Sequence, residues 1–143
     1  MHIRPMTIED YDFVMNMMRG TSDVTFRDAD SREATARYLQ RNPNLSFVAL
    51  VGAHIVGCCM CGHDGRRGYL QHLVVQSAYR CQGIGSELVK HCLDALEHEG
   101  IFKTHINVQI SNPSAFDYWL KQGWINREDI YWMSMNRSQS ANA

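Results

Sequence analysis

YLQHLVV (69–75) and, four residues further on, RCQGIG (80–85) decide how this chain is read. The first run is apolar and rich in β-formers, and the second opens the amphipathic segment IGSELVKHCLDAL. A strand that ends in a glycine-bearing turn and then a helix start is an anion site in waiting. The helix N-terminus supplies unpaired N–H groups and the positive end of its dipole, and Gly83 and Gly85 let the backbone approach an oxygen cage with no Cβ in the way. The ligand such a turn suits is a phosphate or pyrophosphate. Spacing then removes two sources of it. A P-loop needs a Lys after its second glycine, and none follows here. A Rossmann turn needs a third glycine, where this chain continues Ser86, Glu87, Leu88.

Length and composition describe the setting. The 143 residues suffice for one domain with a substantial core, expected over 1–136 with a polar tail at 137–143. The formal charge of −1 comes with no basic stripe, which argues against a nucleic-acid partner. No apolar h-region follows His2 and Arg4, and no apolar run approaches the length of a membrane span, so a signal peptide and a membrane anchor are not expected. Five cysteines are an odd number, and Cys58, Cys59 and Cys61 crowd one strand-like run. Reduced thiols in a cytoplasmic protein are the expectation. Zinc on Cys58, Cys61 and His63 is the alternative, but no second CxxC completes four ligands, so no metal is expected.

The order of elements follows from local signals. HIRPM is a short strand, and Thr7 with Asp10 forms a capping box that opens a helix to about residue 19. After a loop, Asp30 with Glu33 three residues on is the expected cap of a second helix, stopped near Asn42 and Pro43. SFVALVGAHIVGCCMCGHD reads as two strands joined at Gly52–Ala53, and DGRRG turns into YLQHLVV. The helix after the glycine turn carries Leu88, Val89, Cys92, Leu93 and Leu96 on one face and Glu87, Lys90, Asp94 and Glu97 on the other. THINVQI is a further strand, Asn112 and Pro113 open a last helix, and WINREDIYWMSMN is expected as one or two closing strands.

The turn RCQGIG has the form [RQ]xxGx[GA] and resembles the acetyl-CoA pyrophosphate loop of the GCN5-related N-acetyltransferases, the GNAT family. A second signal sits near the C-terminus. NPSAFDYWLKQGW resembles the family's NxxAxxxYxxxG[FY] pattern, with Asn112, Ala115, Gly123 and Trp124 in place. The likeness runs over nearly the whole chain. It implies the GNAT fold: an α/β (α+β) domain with a mixed, mostly antiparallel sheet, helices on both faces, and the order β-α-α-β-β-β-α-β-α-β. It also implies acetyl-CoA as co-substrate, with the pantetheine arm paired to exposed backbone at Leu73, Val74 and Val75. Arg80, Cys81, Gln82, Gly83, Ile84, Gly85 and Ser86 are then expected around the pyrophosphate. Asn112 is expected to cap its helix, touch the pantetheine, or both, and Trp119 to shape the pocket for the sulfur.

The chemistry needs a base for an amine that is mostly protonated at neutral pH, and a donor for the oxyanion, for which the Leu73 amide is the expected group. Many relatives place an acidic Tyr where this chain has Trp119, whose indole N–H cannot protonate a thiolate. Tyr118 lies about 100° away around the helix and is the substitute acid to consider. Histidine as a residue type is suited to proton relay near neutral pH, which makes His72 the candidate base. Strand alternation, however, turns it away from Gln71 and Leu73 unless a bulge intervenes. Gln71 could hold a water, and Asp64 an acceptor's ammonium group, with Arg66 or Arg67 for a carboxylate. Ordinary turn chemistry explains those three as well. The family's ribosomal-protein alanine acetyltransferases carry a Glu where Asn107 stands and a Tyr where Trp119 stands, so their mechanism is not expected. The acceptor is therefore expected to be a small primary amine. A peptide N-terminus, or an acetyl-CoA-binding module without turnover, is the alternative. The loop 20–30 and Met15, Met17 and Met18 are expected to border the acceptor, the methionines more readily as core. Members of the family are often homodimers, and the resemblance allows for a homodimer in this chain too.

Overall fold

Strands β1 (His2–Pro5), β2 (Phe47–Val51), β3 (His54–His63) and β4 (Gly68–Val75) pair antiparallel in that order, and β5 (Thr104–His105) joins β4 in parallel. This is the mixed, mostly antiparallel sheet expected. A computed structural model describes residues 1–21 and 25–143. The chain forms two compact units, Met1–Ile106 and Asn107–Ala143.

In the first unit, helix α1 (Tyr11–Arg19) follows a 3₁₀ turn whose Asp10 carboxylate accepts the Thr7 N–H at 2.9 Å. The same carboxylate receives both guanidinium nitrogens of Arg4 at 2.8 Å. Helix α2 (Arg32–Arg41) is capped by Ser31, whose hydroxyl oxygen accepts the Ala34 N–H at 3.1 Å. Asp30, the expected cap, lies one residue too early. It closes a separate 3₁₀ turn by accepting the Arg27 N–H at 2.8 Å.

The two faces of the sheet are covered differently. Val14, Met15, Met17 and Met18 of α1 pack with Val48, Cys58, Met60 and Val74 into one buried cluster. The methionines are thus core. Helix α3 (Ile84–His98) covers the other face, with Ile84, Leu88, Val89, Cys92 and Leu96 buried in the stripe its periodicity predicts. The Cys92 thiol points at the Cys59 carbonyl, and a Cβ on Gly57 would lie 3.1 Å from Leu88 Cδ1. Each fully buried Leu or Met contributes about 1.5–3 kcal/mol. Alternation therefore sends Cys58 toward α1 and Cys61 toward α3, so these two thiols cannot share a metal. Burial pushes the Cys58 thiol pKa upward, and the thiol remains protonated.

The second unit contains α4 (Pro113–Lys121). Asn112 caps it by accepting the Ala115 N–H at 3.1 Å, and Pro113 takes the first helical position. Two strand expectations need correction. THINVQI supplies only Thr104–His105 to the sheet, and residues 124–136 form no strand. The order of elements agrees with expectation through α4. Among the described residues, no helix is long and apolar enough to cross a membrane.

Candidate active site

Strand β4 holds the central irregularity. Its pairing with β3 runs Cys58↔Val74 and then Met60↔Gln71, so His72 and Leu73 stand opposite Cys59 alone. That is a β-bulge, and His72 adopts a left-handed backbone with φ +51°. A non-glycine residue in that region costs about 1–2 kcal/mol, and such strain gathers at functional sites. The bulge removes the parity objection to His72. Gln71 shares the α1 face through its partner Met60, and the His72 ring reaches Asp30, where Nε2 lies 2.7 Å from Oδ1. Both side chains are largely buried, with 21% and 11% of their surface exposed.

Beyond the bulge, the other edge of β4 opens. The parallel ladder with β5 covers only Gly68↔Thr104 and Tyr69↔His105. Leu73, Val74 and Val75 lie past its end, on the stretch where an extended ligand could add as a strand does. Val74 is buried, so only its backbone is on offer. The Val75 carbonyl already accepts the Arg80 Nε–H at 3.1 Å, which folds the Arg80 side chain back onto the strand.

The turn that follows contains two left-handed residues before a helix start. Cys81 (φ +62°) and Gly83 (φ +81°) are both left-handed, and Gly83 is the residue that caps α3. Arg80 before them is extended (φ −69°, ψ +162°), and left-handed residues in such a turn can aim backbone N–H groups to one side, as in an anion-binding nest. The first helical hydrogen bond runs from the Glu87 N–H to the Gly83 carbonyl at 3.0 Å. The N–H groups of Ile84, Gly85 and Ser86 therefore precede the intrahelical ladder, as at any helix start. A Cβ on Gly83 would meet nothing within 4 Å, so the space before the turn is open. Cys81 is exposed beside it.

A cavity of about 210 Å³ lies beside Gln71 and is also lined by Tyr38, Arg41, Asn42, Asp64 and Tyr69. Gln71 and Asp64 thus border one space. Asp64 is busy in its own turn, where Oδ1 accepts the N–H groups of Arg66 and Arg67 at 2.8 and 2.7 Å. Those backbone bonds, Arg67 first, hold its carboxyl below the usual carboxylate range. The Tyr38 hydroxyl is buried with no hydrogen-bond partner among the described residues, and burial pushes its pKa upward. A larger cavity, about 450 Å³, reaches Gln76 and Tyr79 from the Arg4–Asp10 side but does not include the bulge.

The remaining nominated residues belong to the second unit. Asn112 is engaged as the α4 cap. Trp119 stands edge-on to Tyr118 and to Trp124, each with ring centroids 5.1 Å apart. Sequence reasoning missed Asp30 and Tyr38. Asp30 looked like a helix cap, and its partner lies 42 positions away along the chain.

The acetyltransferase (GNAT) family model matches residues 11–124. N-alpha-acetyltransferase 30 of Xenopus laevis is 33% identical over 108 residues, covering 71% of this chain and 40% of that protein. An acetyltransferase of Pectobacterium atrosepticum is 30% identical over 121 residues and is covered, like this chain, to 85%. The solved structure of Ard1 from Thermoplasma volcanium superposes with a TM-score of 0.76 at 17% identity, covering 87% of this chain and 82% of that one. This chain spans less than half the length of the first curated relatives it matches.

Proposed function

The chain belongs to the acetyltransferase (GNAT) family, whose members use acetyl-CoA, and from that premise we propose that it acetylates the primary amine of a small molecule. The observation that supports a small acceptor is the cavity of about 210 Å³ at Gln71, the residue before the bulge, walled also by Tyr38, Arg41, Asp64 and Tyr69. Sites for drug-sized ligands run from about 300 to 1,000 Å³, so this one suits a smaller, polar molecule. Its free thiols suit a reducing compartment, which supports a cytoplasmic location.

The donor, when bound, supplies an acetyl thioester as electrophile. The nest formed by residues 80–86 holds its pyrophosphate by backbone N–H groups, and the open edge at 73–75 pairs with its amide-bearing arm. The Leu73 N–H, at the bulge, stabilises the oxygen on which negative charge develops. His72 takes one proton from the acceptor's ammonium group, and the neutral amine forms the C–N bond. The C–S bond then breaks, the thiolate leaves with the electron pair, and the second proton on the new C–N nitrogen passes to it through solvent. A thiolate is a fair leaving group, since a thiol's pKa lies near ~8.5. The products are an amide, free CoA thiol and one proton.

A second reading is supported by one finding. The likeness to N-alpha-acetyltransferase 30 favours a peptide N-terminus as acceptor. Release of CoA thiol from acetyl-CoA, measured against amino acids, polyamines, aminoglycosides and short peptides with a no-acceptor blank, separates the two. A rate confined to small amines supports the first reading. A rate confined to peptides replaces it with the second. Silence across the panel, from protein that binds acetyl-CoA, contradicts both.

A further inference from the structure

Asp30, His72 and Tyr11 come from three different elements and meet at one point. The Asp30 carboxylate uses Oδ2 to accept the Arg27 N–H at 2.8 Å and presents Oδ1 to His72 Nε2 at 2.7 Å. The Asp30 carbonyl accepts the Tyr11 hydroxyl, which ties α1 to the same turn. The carboxylate is therefore fixed by the backbone before it meets the imidazole. An ionised carboxylate is an acceptor only, so the ring nitrogen facing it must carry a proton. The other nitrogen, Nδ1, then holds the lone pair.

We propose that Asp30 is the positioning residue of the proton relay: it holds His72 in the Nε2–H tautomer and leaves Nδ1 as the base toward the acceptor amine. This rests on the reading of the protein as an amine acetyltransferase. The step is a proton transfer alone. The ammonium N–H bond breaks, the Nδ1–H bond forms, and the imidazolium charge sits against the Asp30 carboxylate. When the proton later leaves Nδ1 for solvent, the Nε2–H tautomer is restored. The contact sits at the bulge: His72 has a left-handed backbone, and its ring reaches a turn that precedes α2. A carboxylate–imidazole pair of this kind orients the base and stabilises its charged form, and the carboxylate need not itself take the proton.

The test is Asp30→Asn, alone and combined with His72→Ala. An Asn can keep its oxygen on the Arg27 N–H, which turns its NH₂ toward Nε2 and demands the opposite tautomer. The expected result is a fall in kcat of about 10- to 100-fold, since a positioned base contributes on the order of 10²–10⁴-fold. The KM for acetyl-CoA should stay within about twofold, because uniform binding is untouched. In the His72→Ala background, Asp30→Asn should lower kcat no further, because both changes disable one unit. A multiplicative loss in the double variant, or a loss tracked by the melting temperature alone, would show Asp30 to be only a latch between the turn and β4.

A second readout needs no turnover. Long-range ¹⁵N correlation of the His72 ring should show Nε2 protonated and Nδ1 bare in the wild type, and the reverse or a mixture in Asp30→Asn. A wild-type ring protonated at Nδ1 would overturn the proposal outright. Correct tautomers in a protein that acetylates no amine would instead remove the acetyltransferase reading and leave the proton's placement standing.

Discussion

Replacing Gly83 by Ala separates what the turn costs the fold from what it offers the donor. Gly83 sits at φ +81° and ψ +4°. An L-residue there pays about 1–2 kcal/mol. The added methyl meets nothing within 4 Å, so no clash enlarges that figure in the free protein. For a chain of this size the loss corresponds to a fall in Tm of roughly 2–6 °C. Binding should suffer more. Tilting one N–H out of the nest removes a hydrogen bond to a charged group, worth about 1.5–3 kcal/mol, which is roughly a 10- to 100-fold rise in Kd. Gly100 provides the control. It has the same φ of +81° and the same open surroundings, but lies just past the C-terminal end of α3. Thermal unfolding and calorimetric titration with acetyl-CoA should show both variants losing similar stability and only Gly83→Ala losing affinity. Equal affinities in the two variants would refute the assignment of residues 80–86 to the pyrophosphate.

Further outcomes follow from other parts of the molecule. Burial raises the Asp10 pKa, but the Arg4 guanidinium and the Thr7 N–H outweigh it, so the folded carboxyl titrates below its ordinary value. The stability it contributes is complete above about pH 4 and is lost as pH falls through the lower, folded value. Acid unfolding of Asp10→Asn should therefore be shallower in that window than wild type, and an identical acid limb would exclude the pair's role. A Cβ at Gly62 would lie 2.7 Å from Nδ2 of the buried Asn42, whose Oδ1 accepts the His63 N–H at 3.0 Å. Gly62→Ala should cost about 1–3 kcal/mol in denaturant unfolding, and a neutral result would mean that α2 shifts freely.

Local chemistry made much of the fold legible. The Thr7–Asp10 reach-back, the Gly52–Ala53 turn, the stripe from Leu88 to Leu96 and the Asn112–Pro113 start all depend on neighbours within a few residues. Each is present. What stayed hidden depends on distant partners. The bulge at His72 arises from a register shift against Cys58 and Met60, which period-two reasoning along one strand cannot see. Asp30 carries the Asp-x-x-Glu signature of a helix start, yet an extra 3₁₀ turn hands that task to Ser31 and frees the carboxylate for His72. Residues 106–110 and 124–136 are rich in β-formers but gain no ladder, because strand propensity acts only where a partner strand exists. The site was legible in the same measure. Residues 80–86, proposed for the pyrophosphate, are contiguous and could be read as a motif, whereas the Asp30–His72 pair and the cavity shared by Tyr38, Asp64 and Gln71 exist only after folding.

The placement of the donor along β4 and the turn into α3 is tested most directly by titrating ¹⁵N-labelled protein with acetyl-CoA, followed amide by amide. The predicted result is saturable shifts concentrated at Leu73 and Val75 and at Cys81 to Ser86, with the largest at the amides that open α3. Saturable binding whose shifts gather instead around Arg4, Asp10 and His54, at the larger cavity, would contradict it, as would no binding at all.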